Sequence, residues 1–359
     1  MSEKKPNKTK FIKNSKEAFD KVRHRSIELF SENMEIKKAY KKISAQKKEI
    51  EKQRDRIELN NEKLKYTVKK AKKRTIDLFG KHIDLKKAKK QIEYQKTEIE
   101  IINEQIGDSI SYAQLIQQAM LPSEKLIKSK FPESFIFFKP RDVVSGDFYW
   151  FSEQDNKLFF VTVDCTGHGV PGAFMSMIGN SLLNMIINDN KIYVPSRILK
   201  RLNKEVVYAL NQDENPDSLT QDGMDITICV IDKVRKEIII SSASQSCFVI
   251  VDKQVYSIKG DIFSIGGMFA NHPLLNFKDH KIKIGKNTIV YLFSDGYQDQ
   301  FGGPENTKFM SAQLKKILLK NHNLPMDMQV KEIDKEFRNW KGNKKQIDDV
   351  LVVGLKITS

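Results

Sequence analysis

Apolar residues recur at every seventh position over a long stretch of the chain, and the register runs from Ile36 to Met120 without a proline. Lys, Glu, Gln and Arg fill most of the positions between them. A seven-residue repeat sustained over so many turns predicts a long coiled-coil helix rather than a helix of a globular core. The register comprises Ile36, Ile43, Ile50, Ile57, Leu64, Ala71, Leu78, Leu85, Ile92, Ile99, Ile106, Ala113 and Met120.

The second row of the predicted seam lies three residues after each of these positions and is mostly polar until Ile102 and Ile116. We therefore expect a marginal coiled coil that packs firmly only between Ile99 and Met120. Leu121-Pro122 ends the helix, because proline disfavours helical backbone at the preceding residue. A marginal segment that leads into a firm one suits a signal-transmitting helix, and a plain dimerisation helix fits the same pattern.

Beyond Pro122 the pattern changes to short β-rich runs that are separated by glycine and aspartate. The strands come in groups with pairs of helices between them, which favours an α+β fold or a layered β-sandwich over a doubly wound sheet. The predicted strands are Ser134–Lys139, Asp147–Ser152, Leu158–Asp164, Met224–Ile231, Glu237–Ala243, Cys247–Val251, Thr288–Ser294 and Asp349–Lys356. The predicted helices are Pro171–Asn188, Ser196–Asn211, Ser311–Lys320 and Met326–Trp340.

The positive charge of the protein is concentrated at its N-terminal end. Residues 1–120 contain 31 Lys and Arg against 18 Asp and Glu, and the whole chain carries a formal net charge of +16. A basic segment can bind nucleic acid or an anionic membrane. Here the basic residues are mixed with acidic ones and are not interleaved with aromatics, so a solvated helix is the better interpretation and no nucleic-acid partner is expected.

The cysteines and the apolar segments indicate the cellular compartment of the protein. Cys165, Cys229 and Cys247 are odd in number and lack the CxxC spacing of a zinc site, which suits a reducing compartment. No run of about 20 apolar residues occurs, and no apolar segment follows the polar N-terminus. We therefore expect a cytoplasmic protein with no membrane span.

Several aspartates stand where buried strands are predicted to end or begin. Asp164 and Asp295 each follow an apolar run and precede small residues or glycine. Asp147 lies in the sequence Ser-Gly-Asp, and Asp348 and Asp349 open the last apolar run. A lone Asp-Gly pair is more often an ordinary turn. Converging buried carboxylates would repel one another unless cations neutralise them, and Mg²⁺ and Mn²⁺ prefer such oxygen ligands, so the set predicts a two-metal hydrolase.

Four motifs that contain these acids occur in order: VVSGDFYW at 143–150, VDCTGHGVPGA at 163–173, LFSDG at 292–296 and QIDDV at 346–350. Together they resemble the SpoIIE-type branch of the metal-dependent (type 2C, PPM) serine/threonine protein phosphatases. The resemblance spans roughly residues 108 to 357. Its first part, Asp108–Pro122, is similar to the linker helix that joins such domains to sensors.

The resemblance implies a four-layer α-β-β-α sandwich of two antiparallel sheets flanked by helices, preceded by the long coiled-coil helix. It also implies a centre of two Mn²⁺ or Mg²⁺ ions. Asp164 would bridge the ions, and Cys165 would ligate one of them through its backbone carbonyl. Asp147, Asp295 and Asp348 would complete the set, so these three and Asp164 are the expected catalytic residues. Asp349 is a further metal candidate, and Asp348 is favoured over it because Asp348 corresponds to the acid of the family's closing Asp-Asp or Asp-Asn pair.

Four further residues are candidates. His168 can protonate a leaving alkoxide, although its spacing from Asp164 differs from that in the wider type 2C group and a structural role in the loop is an equal alternative. Asp222 and Asp225 form an acidic turn that would line the site or hold a weaker third ion, with an ordinary turn as the alternative. Arg141 would bind the phosphate group of the substrate or neutralise the charge of nearby acids.

The leading interpretation is an active phosphatase for phosphoserine and phosphothreonine. A water activated by two metal ions would attack phosphorus directly, with no phosphoenzyme and no cysteine nucleophile. By resemblance, the substrate would be a phosphorylated regulatory protein of the anti-sigma-factor antagonist type. The alternative is a noncatalytic dimeric coiled-coil scaffold with a phosphatase-like binding domain, which would have lost at least one metal-binding acid.

Three segments are expected along the chain. Residues 1–35 form a polar, basic segment with a short helix near Ala18–Phe30, residues 36–121 form the coiled coil and linker helix, and residues 122–359 form the phosphatase domain. We expect a homodimer through the coiled coil. Because the first segment is too short and polar for a sensory domain, an upstream partner protein would supply the signal that the coiled-coil linker transmits.

Overall fold

The computed structural model describes residues 8–212 and 221–357. It divides into two compact units between Ile99 and Glu100. Helix α1 extends from Lys8 to Met120, so the long N-terminal helix is confirmed, and the short helix expected near Ala18–Phe30 is part of it. The three expected segment boundaries stay a prediction, and the start of the first segment lies outside the described residues.

The first unit exposes its apolar heptad positions to solvent. Every side chain from Ile12 to Ile99 is exposed. Ile43, Leu64 and Ile92 each keep about three fifths of their surface accessible, at 60%, 61% and 64%. A single helix of this length has no core of its own, because most helix stability in water comes from packing an apolar stripe against another surface.

The second unit contains the last turns of α1 and a mixed set of shorter elements. The further helices are α2 (Glu124–Lys130), α3 (Gly169–Leu183), α4 (Pro195–Ala209), α5 (Gly296–Asp299), α6 (Ser311–Asn321) and α7 (Met326–Lys341). The strands are β1 (Ser134–Lys139), β2 (Phe148–Gln154), β3 (Lys157–Cys165), β4 (Gly223–Asp232), β5 (Glu237–Ala243), β6 (Ser246–Val251), β7 (Gln254–Lys259), β8 (Ile265–Gly266), β9 (His280–Lys283), β10 (Thr288–Phe293), β11 (Phe301–Gly302), β12 (Thr307–Lys308) and β13 (Val350–Ile357).

The strands form two antiparallel sheets. Sheet A has the order β1-β13-β10-β6-β7, and sheet B has the order β2-β3-β4-β5-β9 with the short β8 paired to β4. The strands β11 and β12 form a separate hairpin. Each neighbouring pair in sheet B is antiparallel, as are the pairs of β13 with β1 and β10 in sheet A.

Three buried apolar clusters separate four layers. One cluster lies between the two sheets, a second lies between sheet B and the helices α3 and α4, and a third lies between sheet A and the helices α6 and α7. Their members include Phe160, Cys247 and Leu351 in the first, Val161, Leu199 and Ile226 in the second, and Tyr291, Phe337 and Val352 in the third. The expected α+β fold with two stacked antiparallel sheets and flanking helices is confirmed.

Helix α3 differs from its prediction at both ends. It begins at Gly169, two residues before Pro171, and passes into a π-helical stretch at Asn184–Asp189. Within the described residues, one helical stretch, Gly169–Asp189, has the length and composition needed to cross a membrane. Half of its most apolar window is buried inside the domain, as in the core helix of a globular protein.

Candidate active site

The acidic motif residues lie at one end of the sandwich. In sheet B, Phe148 pairs with Val163 and Asp164 pairs with Asp225, so β2 and β4 begin where β3 ends. In sheet A, Phe293 pairs with Val352, so β10 ends where β13 begins. The antiparallel order thus gathers acids that lie up to about 200 residues apart in the chain at the same edge.

Strand alternation turns four of the acids, Asp147, Asp164, Asp225 and Asp349, toward the space between the sheets. In β3, Phe160 lies in the cluster between the sheets, whereas Phe159 and Val161 pack under the helices. Because side chains alternate along a strand, Asp164 shares the face of Phe160. Three other acids are an even number of residues away from a side chain in this cluster and so share its face. Asp147 and Asp349 stand just before β2 and β13 and match Tyr149 and Leu351, and Asp225 matches Cys229 in β4.

Two glycines, Gly146 and Gly172, allow the first two motifs to approach closely. A Cβ atom on Gly146 would lie 2.5 Å from the carbonyl oxygen of Gly167, and a Cβ on Gly172 would lie 2.8 Å from Cα of Gly146. Neither distance is tolerable for a real Cβ atom. The backbone before Asp147, the loop after Asp164 and the first turn of α3 therefore pack directly against one another.

Gly296 has the same role on the other side of the site. A Cβ atom there would overlap the carbonyl oxygen of Asp349 and lie 3.3 Å from Cβ of Asp348. The Asp-Gly sequence at 295–296 thus lets the end of β10 rest on the start of β13. Sequence alone indicated a turn here, and the contact gives the reason for glycine.

The two acids of the closing pair have different surroundings. Asp349 is 2% exposed, and its carboxylate accepts hydrogen bonds from the backbone N–H of Arg141 at 2.6 Å and of Gly146 at 2.7 Å. One oxygen of Asp348 accepts a bond of 2.9 Å from the backbone N–H of Asp349. Asp349 therefore ties the last motif to the first motif and to the loop just before it, whereas Asp348 has more unused acceptor capacity.

Burial raises the pKa of the central acids. Asp147 is 3% exposed and accepts a hydrogen bond of 2.5 Å from Ser294 Oγ. Its pKa is raised well above the ordinary value, first by burial and then by the carboxylates of Asp349 and Asp348. The pKa of Asp164 is raised likewise, first by burial and then by Asp147 and Asp295.

The pKa values of Asp295 and Asp348 are also raised, but by less than those of Asp147 and Asp164. Burial and the nearby carboxylate of Asp348 raise the pKa of Asp295 to about 6. A hydrogen bond with Asp164 acts in the opposite direction and lowers this pKa in part. The pKa of Asp348 is raised mainly by burial, and the charges of His168 and Arg141 oppose the shift. Four carboxyl groups whose ionised forms disfavour one another thus occupy one small region.

The donor set fits divalent cations of the Mg²⁺ and Mn²⁺ type. The charged neighbours that act most strongly on Asp147, Asp164 and Asp295 are other carboxylates, so the site has a deficit of positive charge. Carboxylate and carbonyl oxygens are the ligands these ions prefer. In residues 8–212 and 221–357, no three His, Cys, Asp or Glu side chains already stand close enough together to hold an ion. Side-chain rotation, for example of Asp147 away from Ser294, would accompany binding.

Cys165 presents its backbone carbonyl to the site and buries its thiol. Its side chain is 4% exposed, and burial followed by the charge of Asp164 raises the pKa of the thiol well above its ordinary range. A thiol held protonated is a poor nucleophile. Its carbonyl oxygen lies at the site, 3.2 Å from where a Cβ on Gly146 would stand.

His168 and Arg141 lie at the mouth of the site and contact Asp142, a residue that the sequence did not single out. His168 Nδ1 is 2.9 Å from Asp142 Oδ2, and Arg141 Nε is 3.9 Å from the same oxygen. Arg141 Nη1 also donates a bond of 2.9 Å to the carbonyl of Ile347. Both candidates are therefore joined to loops that carry the central acids.

The two acids of the 222–225 turn have different positions. Asp225 lies directly opposite Asp164 in the β3–β4 ladder, and Ser264 Oγ donates a bond of 2.5 Å to it. Burial raises the pKa of Asp225. Asp222 precedes β4, and its backbone carbonyl accepts a hydrogen bond of 2.7 Å from Gln212 Nε2. Of these two, the structure brings Asp225 to the acidic cluster.

Gln117, in the last turns of α1, makes contacts that the sequence did not predict. Its Nε2 donates to the carbonyl of Ser145 at 2.6 Å and to Oγ of Ser176 at 2.9 Å. Its Oε1 accepts a bond of 3.0 Å from the backbone N–H of Ser145. Gln117 is 8% exposed. A single buried amide thus joins the linker helix to the Asp147 motif and to α3.

The fold is similar to that of known phosphatase domains. The chain matches the model of the stage II sporulation protein E (SpoIIE) family over residues 154–358. Asp147 lies just before the matched residues. A comparison with curated protein sequences gives no significant match.

Solved structures of phosphatase domains have a similar fold. The chain is similar to the SiaA-PP2C domain of Pseudomonas aeruginosa, with 28% identity, a TM-score of 0.63, and coverage of 71% of this chain and 98% of that one. It also resembles the PP2C phosphatase domain, with a fragment of the regulatory domain, of SpoIIE from Bacillus subtilis. That likeness, at 17% identity, a TM-score of 0.50 and 63% of each chain, is one of fold alone. Because the family model covers more than half of the chain and the fold agrees, the chain belongs to the SpoIIE family and contains a PP2C-type protein serine/threonine phosphatase domain.

Proposed function

We propose that the protein hydrolyses phosphoserine and phosphothreonine in a regulatory protein by attack of a metal-activated water, under control of the linker helix. The observation that carries this proposal is the gathering of Asp147, Asp164, Asp295 and Asp348 at one end of the sandwich with raised pKa values. Phosphatases of this family depend on Mg²⁺ or Mn²⁺. When bound, two such ions supply a water of lowered pKa and offset the charge that develops on the phosphoryl oxygens.

The residues of the chain have distinct parts in this proposal. Asp147, Asp164, Asp295 and Asp348, with the carbonyl of Cys165, would hold the ions. Asp349 would hold the loops in place through its two backbone bonds. Asp225 lies next to Asp164 and is the better placed of the turn acids for a weaker third ion.

Two residues at the mouth are positioned for the substrate. Arg141 would contact the phosphate group or balance the acidic charge, and its side chain is tied to the carbonyl of Ile347. His168, with Asp142 as its hydrogen-bond partner, would deliver a proton to the leaving oxygen. Its ring is about half exposed, at 46%, so solvent and substrate can both reach it.

The linker helix provides a physical route for control. Gln117 bonds to Ser145, which lies just before Asp147, and to Ser176, which lies in α3. A rotation or shift of the helix end would break these bonds and move both elements, which changes the metal site. Such control needs two arrangements whose balance a signal can alter.

The exposed heptad positions of α1 support a homodimer with a second copy, formed through the coiled coil over residues 36–121. By family resemblance, the substrate would be a phosphorylated protein of the anti-sigma-factor antagonist type, and an upstream sensor protein would act on the coil. The noncatalytic scaffold is disfavoured, because each acid expected from the family motifs is present.

Hydrolysis of p-nitrophenyl phosphate and of a phosphoserine peptide tests the proposal. We expect turnover with Mn²⁺ or Mg²⁺ and none with EDTA. Asp164→Asn should lower kcat/KM at least about 100-fold, because even outer-shell partners of metal sites cost about 10- to 100-fold. Metal-independent turnover, or full activity of this variant, would refute the mechanism.

A further inference from the structure

Helix α3 carries an apolar face that the domain does not cover. The helix is mostly apolar in composition, yet only half of its most apolar window is buried. Gly172, Ala173 and Met175 face inward, whereas Val170 is 42% exposed and Phe174 is 63% exposed.

The exposed residues form one stripe rather than isolated points. Val170, Phe174 and the half-buried Met177 are spaced by four and three residues, so they lie on the same side of the helix. Single exposed apolar residues are ordinary, but a contiguous apolar face beside a functional site marks a contact with another molecule. We call these three residues the α3 stripe.

The α3 stripe begins next to the acidic site. Val170 is six residues after Asp164, in the first turn of a helix whose Gly172 packs on the backbone of Gly146 and Gly167. The first turn of α3 therefore adjoins the loops that carry Asp147 and Asp164.

A second exposed apolar segment lies on the other side of Asp164. Ile262 is 82% exposed and Met268 is 73% exposed. Between them, Ser264 bonds to Asp225, which pairs with Asp164 across the ladder. The loop that links Asp164 to His168 is joined to this side, because Thr166 exchanges hydrogen bonds with the backbone of Gly223.

We infer that the α3 stripe is the docking surface for the phosphoprotein substrate, and that it selects a phosphoserine with apolar residues beside it. This inference rests on the proposed function. The occupant is the substrate because the family acts on proteins and the stripe borders the site that the substrate must cover. Burying Phe174 against an apolar side chain would favour such a substrate about fivefold to tenfold.

The test compares two synthetic phosphoserine decapeptides that differ only in the residues flanking the phosphoserine, leucine in one and serine in the other. The full chain is assayed with Mn²⁺ on both peptides and on p-nitrophenyl phosphate. Phe174→Ser removes the apolar contact, and Phe174→Leu should retain most of it. Val234→Ser is the matched control, because Val234 is 74% exposed in the β4–β5 turn at the opposite end of the sandwich.

We expect the unmodified protein and Val234→Ser to prefer the leucine peptide about fivefold to tenfold in kcat/KM. Phe174→Ser should lose the preference, with unchanged turnover of p-nitrophenyl phosphate. No preference in the unmodified protein, or equal losses on both peptides and p-nitrophenyl phosphate, would overturn the inference while leaving the phosphatase proposal standing. A changed molecular mass of Phe174→Ser in solution would also overturn it, because the stripe would then be a contact between copies. Absence of any turnover with Mn²⁺ would overturn both proposals.

Discussion

The backbone N–H of Gly146 donates a hydrogen bond of 2.7 Å to Oδ2 of Asp349, which lies 203 residues further along the chain. The other oxygen of Asp349 accepts a bond of 2.6 Å from the N–H of Arg141. One buried carboxylate thus fixes the loop before β2 to the start of β13. The neighbouring Asp348 remains available for a cation.

The contrast between these two acids gives the first prediction. Asp349→Asn should lower the free energy of unfolding by about 1–3 kcal/mol, because it weakens charge-assisted bonds to two buried amides. Asp348→Asn should leave the metal-free stability unchanged or raise it, because it removes one of several mutually repelling carboxylates, and it should weaken Mn²⁺ binding. Urea unfolding with EDTA and calorimetric titration with Mn²⁺ separate the two effects. Equal effects of both variants on Mn²⁺ affinity would show that Asp349 is a ligand as well.

The contact of Gly296 with Asp349 gives the second prediction. Gly296→Ala should destabilise the domain and reduce activity, because the added Cβ overlaps the carbonyl of Asp349 and the two strand ends must separate. Gly80→Ala is the matched control, since nothing lies within 4 Å of a Cβ there. In a helix interior this control should be neutral or stabilising, by about 0.5–1 kcal/mol. Wild-type melting behaviour of Gly296→Ala would contradict the close approach.

The raised pKa of Asp295 gives a pH dependence for the metal-free protein. Folding raises this pKa from the ordinary 3.8 to about 6, so the folded state binds a proton that the unfolded state releases between these values. The metal-free stability should therefore increase as the pH falls from above 6 toward 4. Thermal unfolding with EDTA measures this trend.

Asp295→Asn supplies the control for that trend. The variant cannot ionise at this position, so it should be more stable than the unmodified metal-free protein above pH 6, and the difference should shrink toward pH 4. Saturating Mn²⁺ should reverse the order at pH 7.5, because the cation stabilises the ionised carboxylates that it binds. A pH-independent difference between the two proteins would mean that Asp295 ionises normally in the fold.

The link through Gln117 predicts an effect on catalysis from outside the acidic site. Gln117→Ala should lower kcat/KM about tenfold and weaken Mn²⁺ binding, because Ser145 and Ser176 lose their shared partner next to the Asp147 motif. The adjacent Gln118 is exposed, so Gln118→Ala is the matched control and should behave as the unmodified protein. Similar kinetics of both variants would exclude Gln117 as the connection.

Much of the fold could be predicted because short runs of apolar residues, bounded by glycine and polar residues, mark the strands. Ser134–Lys139 and Glu237–Ala243 were predicted with the bounds that the structure shows. The strand Gln254–Lys259 was missed, because it lies at the edge of sheet A and most of its side chains are exposed. Helix α2 was missed because seven residues are too few for a clear periodicity.

The acids at the site could be predicted from their motifs, but their separate environments could not. Asp348 and Asp349 are adjacent in sequence, and only the bonds from Arg141 and Gly146 distinguish them. Gln117 and Asp142 were not predicted, because their partners depend on tertiary packing. The roles of the acids as metal ligands stay predictions.

The most direct measurement of the central claim is the anomalous scattering of crystals grown with Mn²⁺. The account predicts two peaks at the end of the sandwich where β3 and β10 end, with Asp164 between them and Asp147, Asp295 and Asp348 around them. Crystals with saturating Mn²⁺ that show no peak among these carboxylates would contradict it.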